Sequence, residues 1–324
     1  MLSYIAAVIA GLAVLIWSAD KFVEGAAALA HLFGVSIMII GITIVGFGTS
    51  APEIVVSIIA VMEDTPDLAI GNALGSNIAN IGLILGVTAI LAPVPVATRL
   101  FKTEYPLLLL ATAVMTWALF DLRLDLLDGF ALLGLLFLSL YYLIREHRRH
   151  PAAYAREEHE SEEIVHDLTM RAAIGWTMLS LVLLVASSKL LVWGASNFAL
   201  ELGVSELVIG LTIVALGTSL PELAASIASL KKGNPDLAVG NVIGSNLFNS
   251  LAVIGLPAMF TTFSVDPSAR ARDLPVVIAL TLALILMARF PGALPRRLTR
   301  NNGIFLFSAF VIYQLYLYYR VAVG

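Results

Sequence analysis

"GITIVGFGTSAPE" at residues 41–53 recurs as "GLTIVALGTSLPE" at 210–222, with nine of thirteen positions identical. "PDLAIGNALGSNIAN" at 66–80 recurs as "PDLAVGNVIGSNLFN" at 235–249, with ten of fifteen identical. Both blocks keep one offset of 169 residues without a gap, which chance likeness between apolar segments does not produce. The chain is therefore an internal duplication, and each copy carries a Pro-Glu pair inside a stretch apolar enough to cross a membrane.

Of 324 residues, 59% are apolar and only 13% charged, and the mean hydropathy is +0.93. That composition excludes a soluble globule and indicates a polytopic α-helical membrane protein embedded in the lipid bilayer. A helix crossing the hydrocarbon core needs roughly 20 mostly apolar residues. Ten candidates lie near 3–26, 34–61, 67–92, 104–120, 126–144, 172–195, 203–229, 236–261, 272–290 and 301–320. The opening segment lacks the basic start of a signal peptide and recurs mid-chain, so it reads as the first span. The chain has no cysteine, which excludes disulfides, thiolate metal sites and cysteine nucleophiles. It shows no phosphate-binding loop, nucleophile arrangement or catalytic metal cluster, so neither an enzyme nor a resident cofactor is expected, and no nucleic-acid partner.

Each copy holds five candidate spans, an odd number, so the second must enter the membrane the opposite way up. The expected fold is all-α, ten transmembrane helices in two inverted five-helix repeats, with helices 2 and 7 discontinuous at the motifs. Residues 1–144 form the first repeat and 172–324 the second. The linker at 145–171 holds four of the five histidines and Glu157, Glu158, Glu160, Glu162 and Glu163, and reads as a solvated cytoplasmic loop. Cytoplasmic connections are enriched in Lys and Arg. With the N-terminus outside, thirteen basic residues fall in inner connections, among them Arg145, Arg149, Lys231, Lys232, Arg296 and Arg297. Only Arg123, Arg270, Arg272 and Arg320 fall outside, which places both termini outside. Inverted repeats put a shared site near the bilayer midplane and give two shapes open to opposite sides.

The motif predicts the chemistry of that site. Pro52 has no N–H, so the Gly48 carbonyl loses its helical partner, and Pro221 does the same to Gly217. Glu53 follows Thr49 by four residues, which puts carboxylate and hydroxyl on one helical face with Ser50 adjacent. Glu222, Thr218 and Ser219 repeat the arrangement. Ser76 with Asn80, and Ser245 with Asn249, are again four apart. A carboxylate at mid-membrane costs on the order of 3 kcal/mol unless compensated, and such residues mark ion or proton pathways. Every donor here is oxygen, which suits a hard cation. Ca²⁺ accepts roughly six to eight oxygens in flexible geometry, whereas Zn²⁺ or Cu⁺ recruits His or Cys. Two carboxylates neutralise one Ca²⁺ or two Na⁺, and that equivalence is a physical basis for exchange.

The bland readings are specific. A lone Pro-Glu pair in a span is usually a kink with a locally satisfied acid, but packing alone would not keep Thr, Ser, Pro and Glu in both copies. GxxxG spacings read as helix packing. Asp20, Lys21 and Glu24 read as interfacial snorkelling. The offset sets Lys189 opposite Asp20, so that charge is not retained. Glu63, Asp64 and Asp67 sit in an outer turn, where they raise the local cation concentration.

"GTSAPE" with "GSNIAN", and "GTSLPE" with "GSNLFN", resemble the paired repeats of the calcium/cation antiporter superfamily, particularly the prokaryotic sodium/calcium exchangers, over essentially the whole chain. The resemblance implies that Glu53 and Glu222 ligate Ca²⁺ and Na⁺, helped by Thr49, Ser50, Thr218, Ser219, Ser76, Ser245, Asn80 and Asn249. It also implies backbone ligation near Gly46 and Ala215. One departure is Asn249, where exchangers of this kind often carry Asp and potassium-dependent members use an acid. Proton-coupled calcium exchangers of the superfamily also tend to end both motifs in Asn. Three readings remain: Ca²⁺/Na⁺ antiport, Ca²⁺/H⁺ antiport through the same glutamates, and a passive cation channel with an acidic filter.

Overall fold

The computed structural model describes residues 1–149, 168–203, 215–289 and 296–323. Most of the 145–171 linker, including its five glutamates, lies outside them, as do residues 204–214 at the start of the second motif. The architecture is helical. In chain order the helices are α1 (Leu2–Phe33), α2 (Ile37–Met62), α3 (Pro66–Leu91), α4 (Glu104–Ala118), α5 (Leu126–Arg149), α6 (Met170–Glu201), α7 (Leu220–Lys231), α8 (Pro235–Ala258), α9 (Ala269–Arg289) and α10 (Arg300–Val323). Among the described residues seven are long and apolar enough to span a membrane, namely α1, α2, α3, α5, α6, α8 and α9. The expected span at 104–120 is a shorter apolar helix. That at 301–320 forms within α10, whose Asn301, Asn302 and Gln314 make it more polar.

Local sequence explains where these helices start and stop. α1 ends at Gly34, whose left-handed backbone (φ 60°) lets its N–H reach back to the Ala30 and His31 carbonyls. Ser36 caps α2, its hydroxyl accepting the Ile39 N–H at 3.3 Å. α3 and α8 both open with a proline, Pro66 and Pro235, at a position where the missing N–H costs nothing.

α1 and α6 pack side by side and antiparallel. The Met1 amino group lies 2.9 Å from Glu201 Oε2 at one end, Gly25 sits against Thr177, and Gly194 sits against Tyr4, Ala7 and Val8. Gly25 and Gly194 are 169 positions apart, as are Val8 and Thr177, so one close contact is made twice. Two short antiparallel ribbons repeat the theme: Val94–Pro95 pairs with Arg297–Leu298, and Arg123–Leu124 with Phe263–Ser264. Each ribbon takes one strand from each half of the chain.

The centre belongs to α3 and α8. α8 is buried along its whole length, whereas α1 and α6 turn Leu2, Ile9, Ile16, Leu179 and Val182 outward. α2 crosses α8 where glycine meets backbone: a Cβ added at Gly46 would stand 3.0 Å from Gly244, and one at Gly244 only 2.3 Å from the Ile42 carbonyl oxygen.

The expected break at Pro52 is not observed. α2 remains helical from Gly46 to Met62 with Pro52 inside it, and its irregularity is a π turn at Gly41–Val45. Proline removes one hydrogen bond, which tertiary packing in a membrane bundle can compensate. In the second copy the helix is interrupted at Ser219, between a short turn of helix at Ala215–Thr218 and α7. α3 and α8 each carry a π turn that begins on the motif asparagine, at Asn80–Leu85 and Asn249–Val253. Such turns re-aim side chains and recur at functional sites.

Gly244→Ala should cost about 1–3 kcal/mol, because the methyl meets a rigid backbone carbonyl rather than a movable side chain. The change reads out as a lower melting temperature of the purified protein in detergent. Wild-type stability would show that α2 and α8 do not cross this closely.

Candidate cation site

Glu53 on α2 and Glu222 on α7 are each only 3% exposed. They lie close enough for each charge to act on the other, and Thr49 lies beside the Glu222 carboxylate. Thr49 Oγ1 is also 3.0 Å from the Val45 carbonyl, 3.2 Å from Asn241 Oδ1 and 3.3 Å from Ser245 Oγ. One hydroxyl thus joins α2 to α8 beside the acids. Among the described residues no lysine or arginine pairs with either glutamate. No group of three or more His, Cys, Asp or Glu side chains is placed to hold a metal among them either. The glutamates stand as a pair among neutral oxygens.

Most sequence-predicted residues are buried. Thr49, Ser50, Ser76, Asn80, Ser219, Ser245 and Asn249 are all buried. Ser50 Oγ, Glu53 Oε2, Glu222 Oε2 and Asn249 Oδ1 find no hydrogen-bond partner among the described residues. A buried acceptor without a donor is costly, and most so for a charged oxygen. These four oxygens come from both halves of the chain. Gly46 follows the π turn of α2 and is buried against α8. Ala215 opens the described part of the second motif.

The two copies differ in their surroundings. Thr218 is exposed while its counterpart Thr49 is buried. It lines a cavity of about 260 Å³ with Pro52, Glu53, Asn72, Val192 and Pro221. The Gly217 carbonyl freed by Pro221 is not left open, because the Ser188 hydroxyl on α6 donates to it at 2.8 Å. A neighbouring helix supplies the donor that proline removed.

Sequence reasoning passed over Asn72 and Asn241. Asn72 Nδ2 donates to the Glu53 carbonyl and to Ser57 Oγ, both at 3.1 Å. Asn241 Nδ2 donates to the Glu222 carbonyl at 3.3 Å and to Ser226 Oγ at 3.2 Å. All three residues of each set are related by the 169-residue offset, and that shared spacing was the available signal. Asn77 and Asn246 were also missed. Both are buried, and Asn77 Nδ2 donates to Ser250 Oγ at 3.1 Å.

The family described as "Sodium/calcium exchanger protein" matches residues 3–145 and 172–319. CaxA of Alkalimonas amylolytica is 47% identical over 313 residues, covering 96% of this chain and 97% of that protein. Inner membrane protein YrbG of Escherichia coli is 38% identical, covering 98% of each. The solved structure of the sodium-calcium exchanger NCX_Mj soaked with Na⁺ and Sr²⁺ superimposes with a TM-score of 0.80 at 31% identity, over 96% of this chain and 97% of that one.

Asn72→Leu and Asn241→Leu each strip two donated hydrogen bonds from the backbone and serine beside a glutamate. Each should cost about 1–3 kcal/mol, measured as a fall in thermal stability in detergent. If only one of the two destabilises, the duplicated bonds are not equivalent supports.

Proposed function

Because the chain belongs to the sodium/calcium exchanger protein family, we infer that it is a secondary antiporter exchanging Ca²⁺ for Na⁺ by alternating access, with calcium extrusion driven by the sodium gradient. The observation that carries this reading is the pair of buried glutamates, one per half, whose Oε2 atoms have no donor in the protein and no basic partner among the described residues. Their combined charge of −2 matches one Ca²⁺ or two Na⁺. Glu53 and Glu222 act as the charged ligands. Thr49, Ser50, Ser76, Ser219, Ser245, Asn80 and Asn249 supply neutral oxygens, and Gly46 and Ala215 lie where backbone carbonyls would add to them. Thr218, at the cavity, meets the ion on entry or exit. A site with bound cargo is neutral, whereas one without leaves two buried charges in repulsion. Reorientation is therefore favoured only when loaded, which couples the two fluxes.

In this reading residues 1–144 and 172–324 are five-span repeats of opposite orientation joined by a cytoplasmic loop at 145–171. The antiparallel α1–α6 pair and the two ribbons that each take a strand from both halves support it. The protein sits in the inner membrane with both termini extracytoplasmic, as the bias of basic residues indicates.

A second reading, Ca²⁺/H⁺ antiport, draws on the neutral Asn80 and Asn249. With no third acid beside the glutamates, two protons would neutralise the site as well as two sodium ions.

In proteoliposomes an imposed Na⁺ gradient should drive ⁴⁵Ca²⁺ uptake, and Glu53→Gln or Glu222→Gln should reduce it to background. Uptake driven by a pH gradient and indifferent to Na⁺ selects the proton-coupled reading. Wild-type rates in both mutants remove the glutamates from the transport site.

A further inference from the structure

We propose that Asp20, Glu24 and Lys232 on one face, and Glu63 and Lys189 on the other, are gating residues that form two ion-pair latches of opposite sign, closing in turn as the protein reorients.

The first latch is closed in the structure. Lys232 Nζ, just beyond the end of α7, lies 2.9 Å from Asp20 Oδ1 and 2.9 Å from Glu24 Oε1, both on α1. Lys21 Nζ holds the other Glu24 oxygen at 2.8 Å. The Lys232 and Glu24 side chains are 15% and 18% exposed, so the group does more than reach for the membrane surface, the role read from sequence. Burial works against the Lys232 ammonium, but Asp20 and Glu24 outweigh it and raise its pKa above the ordinary lysine value.

Shifting this pair by the duplication offset gives the second. Lys232 falls on Glu63 and Asp20 falls on Lys189. The pairing is retained with both signs exchanged, which a comparison of single positions reads as lost charge. In the structure Glu63 and Lys189 are both exposed, and they make no ion pair among the described residues.

The surroundings differ in the same sense. Lys189 lines the cavity that contains Glu53 and Thr218, between α6 and α2. A crevice of about 630 Å³ also lies beside the first latch, between α1 and α7, but its lining, which includes Leu15, Ile16, Asp20, Leu220, Leu223 and Lys231, reaches neither glutamate. The Lys232 ion pairs thus tie α1 to the end of α7, whereas among the described residues no ion pair ties α6 to α2, and the cavity there reaches Glu53. In a protein whose halves exchange roles, the opposite-facing shape closes α6 onto α2 and brings Lys189 to Glu63. The inference rests on the antiport reading for its purpose, since a latch on each face matters only if both faces open in turn.

The chain has no cysteine, so paired cysteines can be placed without background. In a Glu63→Cys/Lys189→Cys variant, a short bis-methanethiosulfonate crosslinker, which forms a reducible disulfide to each cysteine and releases methanesulfinate, reports how often α6 closes on α2. Opening the other latch with Lys232→Gln, or more severely with Asp20→Ala/Lys232→Ala, should raise the crosslinking rate on the order of tenfold. In Asp20→Cys/Lys232→Cys, crosslinking should be rapid without further change and should abolish ion exchange until the bridge is reduced. A 63–189 rate that is undetectable or unaffected by loss of Lys232 overturns the proposal. Crosslinking is read without transport, so failure of the antiport reading shows separately, as absent Na⁺-driven Ca²⁺ uptake by the unmodified chain.

Discussion

Two carboxylates without a basic partner, buried together, are the constraint on which the rest of this structure depends. No basic side chain among the described residues pairs with them, and Glu53 Oε2 and Glu222 Oε2 accept no hydrogen bond there. A soluble enzyme would place an arginine or a water-filled cleft beside such a pair. Here the neighbours are hydroxyls and carboxamides, which can complete a cation's shell but cannot replace its charge. The acids are tolerable only with a mobile counter-charge, and a protein that must recruit its counter-charge from solution is by that fact sensitive to which ions each compartment offers.

The supporting frame follows from that demand. A carboxylate must be held firmly to select among ions by geometry, yet its helix must be able to shift. Asn72 and Asn241 meet the first need, each grasping the carbonyl of the glutamate residue and a serine one turn on. These bonds clamp α2 to α3 and α7 to α8 as matched units. The glycine crossings of α2 on α8 meet the second, because backbone in contact with backbone presents few side-chain knobs to obstruct sliding. The π turns at Asn80 and Asn249 put the least regular hydrogen bonding of α3 and α8 beside the charged pair.

How much of this was legible in the sequence depends on whether a feature is duplicated. The burial of Glu53, Glu222 and most of the neutral oxygens named with them accords with motifs kept in two copies at one spacing. Asn72 and Asn241 carried the same mark but no charge, and a carboxamide that holds a backbone looks like one that holds an ion. The continuity of α2 through Pro52 was not legible, because it depends on packing against α8 and not on the local chain. Nor was the split between Thr49 and Thr218. Two identical residues in identical motifs cannot differ by sequence, only by the conformation in which the structure stands.

That split shows what the duplication cannot supply. Were the halves identical, the two opposite-facing conformations would be mirror choices of equal energy, and nothing would favour the one observed. The preference must come from positions where the copies diverge. The offset pairs Glu24 with Trp193 and Lys21 with Leu190, so the first latch has two acids and two lysines where the second has one of each. A partly buried ion pair gains with every additional correctly signed neighbour. The richer cluster ties α1 to the end of α7, and that is the closed side of the structure. In the two-latch proposal it is these unmatched charges, and not the duplicated motifs, that set which way the protein faces.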